Sequence, residues 1–244
     1  MIIKYFSDLH LEFFKKLNPI WIKSLIRRDA NILVLAGDIG YPTSQLYKDF
    51  LIEINPMFER IYLITGNHEY YSDKSIDENN QLIKNIIANN NLSNVKLLLN
   101  DWEEYNGYRF VGSTLWSKIS DPNYLINDFK CIKNMTVDKY NDLHKESVNF
   151  IETAVRESEL PVVVITHHLP SNTLNDPKYQ SFSKYNQCFS SELDYLISSP
   201  IVAWFYGHTH TGSFKEINGV KLCCNPIGYP DENSNQDFNK SITL

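Results

Sequence analysis

Five short apolar runs punctuate the chain: Ile2 to Phe6, Ile32 to Ala36, Ile61 to Thr65, Val162 to Thr166 and Ile201 to Phe205. Their length and richness in β-branched residues predict buried strands. Each is followed within a few residues by Asp, Asn or His, often after a Gly. Between the second and third runs, Leu46, Phe50 and Ile54 recur every four residues, and Ile76, Leu82, Ile83, Ile86 and Ile87 give Lys74 to Asn90 a second helical stripe. Strand, helix, strand order predicts right-handed crossovers and a partly parallel sheet.

The pattern changes from Val95 to Leu115. Trp102 to Tyr105 and Tyr108 to Val111 flank Asn106-Gly107, and Ser213 to Ile217 and Val220 to Cys224 flank Asn218-Gly219. Asn-Gly is the preferred centre of a two-residue hairpin. Two hairpin-rich stretches with helices elsewhere predict two sheets packed face to face, helices outside. Residues 119–159 read as mostly helical, with Leu143, Ser147, Phe150, Ile151 and Ala154 as the buried stripe, and residues 231–244 as a polar tail that frays. With no internal repeat or long linker, residues 1–244 read as a single domain.

Composition narrows the class. The 43% hydrophobic and 21% charged content is that of an ordinary globular protein. The formal charge of −6, with Lys and Arg scattered, lacks the basic stripe of a duplex-binding protein, so no stable nucleic-acid binding is expected. No apolar run approaches the roughly 20 residues of a membrane span, and the N-terminus lacks a signal-peptide layout. Cys131, Cys188, Cys223 and Cys224 have no C-x-x-C spacing and read as buried free thiols. A reducing, cytoplasmic setting follows.

The polar strand ends carry the chemistry: Ser7-Asp8-Leu9-His10, Gly37-Asp38, Gly66-Asn67-His68-Glu69, Thr166-His167-His168 and Gly207-His208-Thr209-His210. Ligands bind beyond the carboxyl ends of strands in open α/β sheets, so these ends converge on one cleft. His and Asp suit borderline cations, and the glycines permit close backbone approach. Any one segment is a weak signal; the ordered set is a strong one. The set resembles the calcineurin-like metallophosphoesterase superfamily, whose series runs D-x-H, G-D, G-N-H-(D/E), His after an apolar strand, and G-H-x-H, here spanning residues 8 to 210. Longer phrases such as Ser-Asp-Leu-His-Leu-Glu and Gly-Asn-His-Glu-Tyr-Tyr look like a small, single-domain bacterial-type branch.

That resemblance implies a four-layer α/β/β/α sandwich of two mixed sheets. It assigns Asp8, His10 and His210 to one divalent cation, Asn67, His167 and His208 to a second, and Asp38 to both. His167 and His168 compete for one position; the Val164-Ile-Thr-His167 phrase favours His167, leaving His168 behind it or facing substrate. Mn is the foremost metal, with Fe, Zn and Ni as alternatives. The implied reaction is hydrolysis of a small phosphomonoester or phosphodiester by in-line attack of a metal-bridging hydroxide, His68 assisting the leaving group. Glu69, behind the donors or facing substrate, either orients His68, shapes the pocket or caps the next helix, and His144 reads as solvated surface. The alternative is a metal-binding scaffold without turnover, a reading that a missing ligand would favour.

Overall fold

The computed structural model describes residues 1–17, 22, 30–120, 126–177 and 183–244. The apolar runs form strands β1 (Ile2–Phe6), β2 (Ile32–Ala36) and β3 (Arg60–Ile64), mutually parallel, with β4 (Val95–Leu97) added in parallel beside β3. Helix α1 (Gln45–Ile54) connects β2 to β3, and α2 (Ile76–Asn89) connects β3 to β4. The second sheet holds β5 (Asp101–Tyr105), β6 (Tyr108–Ser113), β7 (Val162–Thr166), β8 (Ile201–Tyr206), β9 (Ser213–Ile217) and β10 (Val220–Cys224). Its order is β5-β6-β7-β8-β10-β9. The last strand, β11 (Ser241–Thr243), returns to the first sheet and pairs antiparallel with β1, giving β11-β1-β2-β3-β4.

Strand alternation builds the layers. Ile3, Tyr5, Val34, Tyr62 and Ile64 point into the space between the sheets and meet Phe110, Val163, Ile165, Phe205 and Cys223. Tyr62 stacks on Phe110 at 4.2 Å between ring centroids. The opposite faces, Leu33, Leu35, Ile61 and Leu63, pack against Tyr47, Phe50 and Ile54 of α1 and Ile83 of α2. Behind the second sheet, Val162, Val164, Trp204 and Leu222 pack against Ile151, Ala154 and Val155 of the long helix Val137–Arg156. The result is the four-layer α/β/β/α sandwich.

The expected hairpins form, and several other expectations are revised. Both Asn-Gly hairpins belong to the six-stranded sheet, one at each edge, with positive φ at Asn106, Gly107, Asn218 and Gly219 as such turns require. Within residues 119–159 two helices form, α3 (Asp128–Cys131) and α4 (Val137–Arg156); residues 121–125 lie outside the described residues. Tyr140 and Val155 join Ser147, Ile151 and Ala154 in the buried stripe of α4, whereas Leu143 and Phe150 are only half-buried. The polar tail packs onto the rest of the molecule. Ser234 is buried, its hydroxyl held by the carbonyls of Pro226 and Ile227, and the chain ends in β11. Cys131 is exposed, while Cys223 and Cys224 point to opposite sides of their sheet and all four thiols are free.

Candidate metal centre

The five polar strand ends meet at one edge of the sandwich, where β1, β2 and β3 of one sheet face β7 and β8 of the other. Backbone hydrogen bonds tie them together: Asp8 N to Gly37 O at 3.0 Å, His10 N to Asp38 O at 3.0 Å, and Gly207 N to His167 O at 3.0 Å. Asp8, His10, Asp38, His208 and His210 all have left-handed backbones, with φ between 48° and 65°. Asp and His tolerate that region better than most residues, and such conformations cluster at functional sites because surrounding structure must hold them. At Gly66 the constraint is steric. A Cβ there would lie 2.1 Å from Asp38 Oδ1, so only Gly lets the loop after β3 approach the carboxylate.

Side-chain donors converge in three overlapping groups, Asp8–His10–His210, His10–Asp38–His68 and Asp38–His167–His208. His10 Nε2 and His210 Nε2 face each other at 3.0 Å. His210 Nε2 lies 3.4 Å from Asp8 Oδ1, and His10 Nε2 and His167 Nε2 lie 3.8 and 3.3 Å from Asp38 Oδ2. Asn67 Oδ1 sits 3.1 Å from His167 Nε2. The opposite edges of the rings are anchored by acceptors: Ala36 O for His167 Nδ1 (2.9 Å), Glu12 Oε1 for His10 Nδ1 (2.9 Å) and Glu232 Oε2 for His210 Nδ1 (2.5 Å). An acceptor at Nδ1 puts the proton there and leaves the Nε2 lone pair aimed at the centre. For Asn67 the amide nitrogen donates to Asp128 Oδ1 (2.8 Å) and the Tyr71 hydroxyl (3.0 Å), which turns its oxygen inward. Facing imidazole lone pairs and paired carboxylates make a donor set that fits divalent cations.

The electrostatics agree. Burial opposes ionisation of Asp8 and Asp38, yet the His210 hydrogen bond holds Asp8 low, and the charge of His167 holds Asp38 well below the usual carboxylate range. Against burial, Asp38 raises His167 to about 10 and Asp8 raises His210 to about 9. The carboxylates thus draw positive charge to the centre.

The family comparison bears directly on this geometry. The model of the calcineurin-like phosphoesterases matches residues 1–212. The chain belongs to that family. An uncharacterized protein of Acanthamoeba polyphaga mimivirus is 35% identical over 264 aligned residues, covering 96% of this chain and 93% of that one. The phosphopantetheinyl hydrolase of Mycobacterium tuberculosis has a similar fold, with TM-score 0.73, 17% identity, and 93% and 89% of the two chains covered. A dimetal phosphatase from Danio rerio is similar at TM-score 0.57 and 12% identity, over 96% and 90% of the chains. Both structural similarities concern the fold.

Within this calcineurin-like chain, the structure brings together Asp8, His10, Asp38, Asn67, His68, His167, His208 and His210. His168 points elsewhere: Nε2 meets the Tyr140 hydroxyl at 3.1 Å and Nδ1 meets Thr114 O at 3.3 Å. Burial and the neighbouring His167 push it down to about 3, so it is a neutral buried histidine behind the centre. Glu69 stands behind the centre and shapes it through the backbone, while the cap of α2 is Ser75. It is fully buried and accepts from Gly66 N (2.7 Å), Asp38 N (3.0 Å) and Ile39 N (2.7 Å), clamping two of the loops together. His144 is half-buried, with Nδ1 3.2 Å from Leu115 O, and is not solvated surface.

His68 lines the cleft, its ring stacked on Tyr71 at 4.2 Å. Nδ1 lies 2.9 Å from Glu12 Oε1, and Nε2 lies 3.5 Å from the Tyr229 hydroxyl. Against burial, Asp38 and Glu12 raise its pKa, which favours a proton on the ring. Glu12, Asp128 and Glu232 are residues at the centre to which the sequence alone assigned no role, while Tyr229, following the last long strand, does reach the cleft. Glu12 stands two residues after His10, a spacing that could have flagged it. For Asp128 and Glu232 the sequence offers no local signal.

Proposed function

We propose that this chain is a binuclear metal-dependent phosphoesterase acting on a small phosphoester. One observation carries the reading: Asp38 belongs to both the His10–Asp38–His68 and the Asp38–His167–His208 groups, and His10 links the first of these to Asp8 and His210. In this reading Asp8, His10, His210 and Asp38 hold one cation, and Asp38, Asn67, His167 and His208 hold the other. Mn is the foremost candidate for such a mixed nitrogen and oxygen set, ahead of Fe, Zn and Ni. When bound, a cation pair polarises phosphoryl oxygens and makes water a nucleophile near neutral pH.

The protein's own residues do the rest. Glu12 holds His68 with Nε2 toward the cleft, where a proton can pass to the leaving oxygen. Tyr71 stacks on the ring and fixes its plane. Asp128 fixes Asn67, and Glu69 keeps the loops of Asp38 and Asn67 in register. All seven expected donors are present, which removes the feature that a non-catalytic scaffold would display. Residues 1–244 act as one domain in this proposal, and four free thiols support a reducing, cytoplasmic location. Among the described residues no helix is long and apolar enough to cross a membrane.

The test is metal analysis combined with turnover of p-nitrophenyl phosphate and bis-p-nitrophenyl phosphate in Mn. The native protein is expected to carry two metals per chain and to hydrolyse at least one ester. His68→Asn is expected to keep both metals and lose about 10²- to 10⁴-fold in kcat, the usual worth of a positioned proton donor. Loss of metal in that variant would instead make His68 a ligand. Two bound metals with no turnover of either ester would sink the enzyme reading.

A further inference from the structure

The loop after β10 carries Tyr229 across the mouth of the metal centre. Ile227 N donates to Ser7 O at 3.0 Å and Gly228 N to Asp8 O at 2.9 Å, which zips this loop onto the one after β1. Gly228 has a φ of 79°, the left-handed conformation that turns the chain there. Glu232 holds the next residue from the far side. Its Oε2 accepts from Tyr229 N at 2.9 Å and also faces His210 Nδ1. The Tyr229 ring packs 4.5 Å from His10, 4.6 Å from His210 and 5.2 Å from Phe13, between ring centroids. Fixed by backbone and ring together, the side chain lines two adjoining cavities of about 250 and 540 Å³, and His68 lines both as well.

The Tyr229 hydroxyl lies 3.5 Å from His68 Nε2. That separation is too long for a good hydrogen bond, so neither group uses up the other. A single oxygen about 2.8 Å from each would satisfy both. The geometry points to Tyr229 as a second catalytic donor, whose hydroxyl hydrogen-bonds the ester oxygen that leaves phosphorus and receives the proton of His68. This assignment rests on the phosphoesterase reading above. The short reach to Nε2 decides which substrate oxygen is met, since the oxygen that His68 protonates is the leaving one. A phenol, with an ordinary pKa of about 10, keeps its proton at neutral pH and donates throughout. In the reaction the water oxygen bonds to phosphorus, one ester P–O bond breaks, and its electron pair stays on the ester oxygen. That oxygen takes the Nε2 proton, and the proton shed by the attacking water restores His68 over the cycle. Tyr229 transfers nothing. Its O–H meets the negative charge that builds on the leaving oxygen, as a preorganised donor does at an oxyanion.

The test uses Tyr229→Phe, which keeps the ring against His10 and His210 and removes only the hydroxyl. Mn content and melting temperature should match those of the native protein. On the Mn-loaded variant, kcat for a phenyl ester should fall about 10²-fold. For the matching p-nitrophenyl ester the loss should stay below about tenfold, because p-nitrophenolate leaves with little help. Orthovanadate, whose five-coordinate adduct places an oxygen in the leaving position, gives a readout without turnover. Calorimetry should find it bound about tenfold more weakly by Tyr229→Phe, and the same factor should persist when both proteins also carry His68→Asn. A factor that vanishes in the His68→Asn background would make Tyr229 a positioning residue acting through His68, and would overturn the assignment. Unchanged vanadate affinity, equal losses for the two esters, or loss of Mn would each overturn it too and leave the phosphoesterase reading intact. A native protein that hydrolyses neither ester would remove that reading and this inference with it.

Discussion

Around the donor atoms, a second ring of residues determines what the first can do. Nδ1 of His10, His167 and His210 each meets an oxygen acceptor, and the Asn67 amide meets Asp128 and Tyr71. Without those partners an imidazole could present N–H to the centre instead of a lone pair, and Asn67 could present NH₂ instead of oxygen. Asp128 is the sharpest case, since a buried carboxylate can only accept from Asn67. Asp128→Ala should weaken Mn binding by about 10- to 100-fold, the usual effect of removing such a partner, as read by calorimetric titration. Tyr71→Phe, which leaves Asp128 in place, should cost less. Unchanged affinity in Asp128→Ala would mean that Asn67 needs no orienting partner. Glu12 and Tyr71 lie two and four residues beyond the side chains they hold, whereas Ala36, Asp128 and Glu232 come from distant parts of the chain, where local spacing reveals nothing.

Elements present the donors through their ends. The parallel strands β1, β2 and β3 finish at a common edge because their registers align Phe6 with Leu35 and Ala36 with Ile64. β7 and β8 are likewise parallel neighbours, so the His167 and His208 loops emerge side by side. The strands were legible in sequence because each is a short, fully buried apolar run, and their ends differ from expectation by one residue at β3 and β8. Helix α2 was equally legible and carries a complete capping box: Ser75 Oγ accepts from Glu78 N at 3.1 Å, and Glu78 Oε2 accepts from Ser75 N at 2.6 Å. Ser75→Ala should cost about 1 kcal/mol in denaturant unfolding with metal content unchanged. A loss of activity larger than the loss of stability would show that α2 reaches the centre. By contrast, α3 is too short to declare itself by periodicity, yet it supplies Asp128.

For the whole molecule, the centre joins the two sheets, because Asp8, Asp38 and Asn67 follow strands of one and His167 and His208 follow strands of the other. Cation binding should therefore stabilise the folded state by mass action, about 2.7 kcal/mol at a hundredfold excess over Kd. The expected result is a melting temperature that rises with added Mn and falls with a chelator. Asp38→Ala, which removes the shared carboxylate, should abolish most of that dependence. An Mn-independent melting temperature in the native protein would argue against cations bridging the sheets.

The sequence by itself determined the strand set, the hairpin turns, and the candidate donor residues with the order in which they appear, because burial periodicity, Asn-Gly turn chemistry and side-chain type are all local properties. It could not choose the sheet to which each hairpin belongs, nor the course of the polar C-terminus. The tail becomes β11 because the exposed edge of β1 offers unpaired backbone groups, a nonlocal fact. Tertiary structure also separates two adjacent histidines. His167 and His168 follow the same strand on opposite faces, and only the sheet's orientation turns one toward Asp38 and the other toward Tyr140. The lining of the cleft belongs to the same category, since His68, Phe189, Tyr229 and Glu232 are separated in sequence and meet only when both sheets are in place. Chemistry was written along the chain; selectivity arises where its distant parts converge.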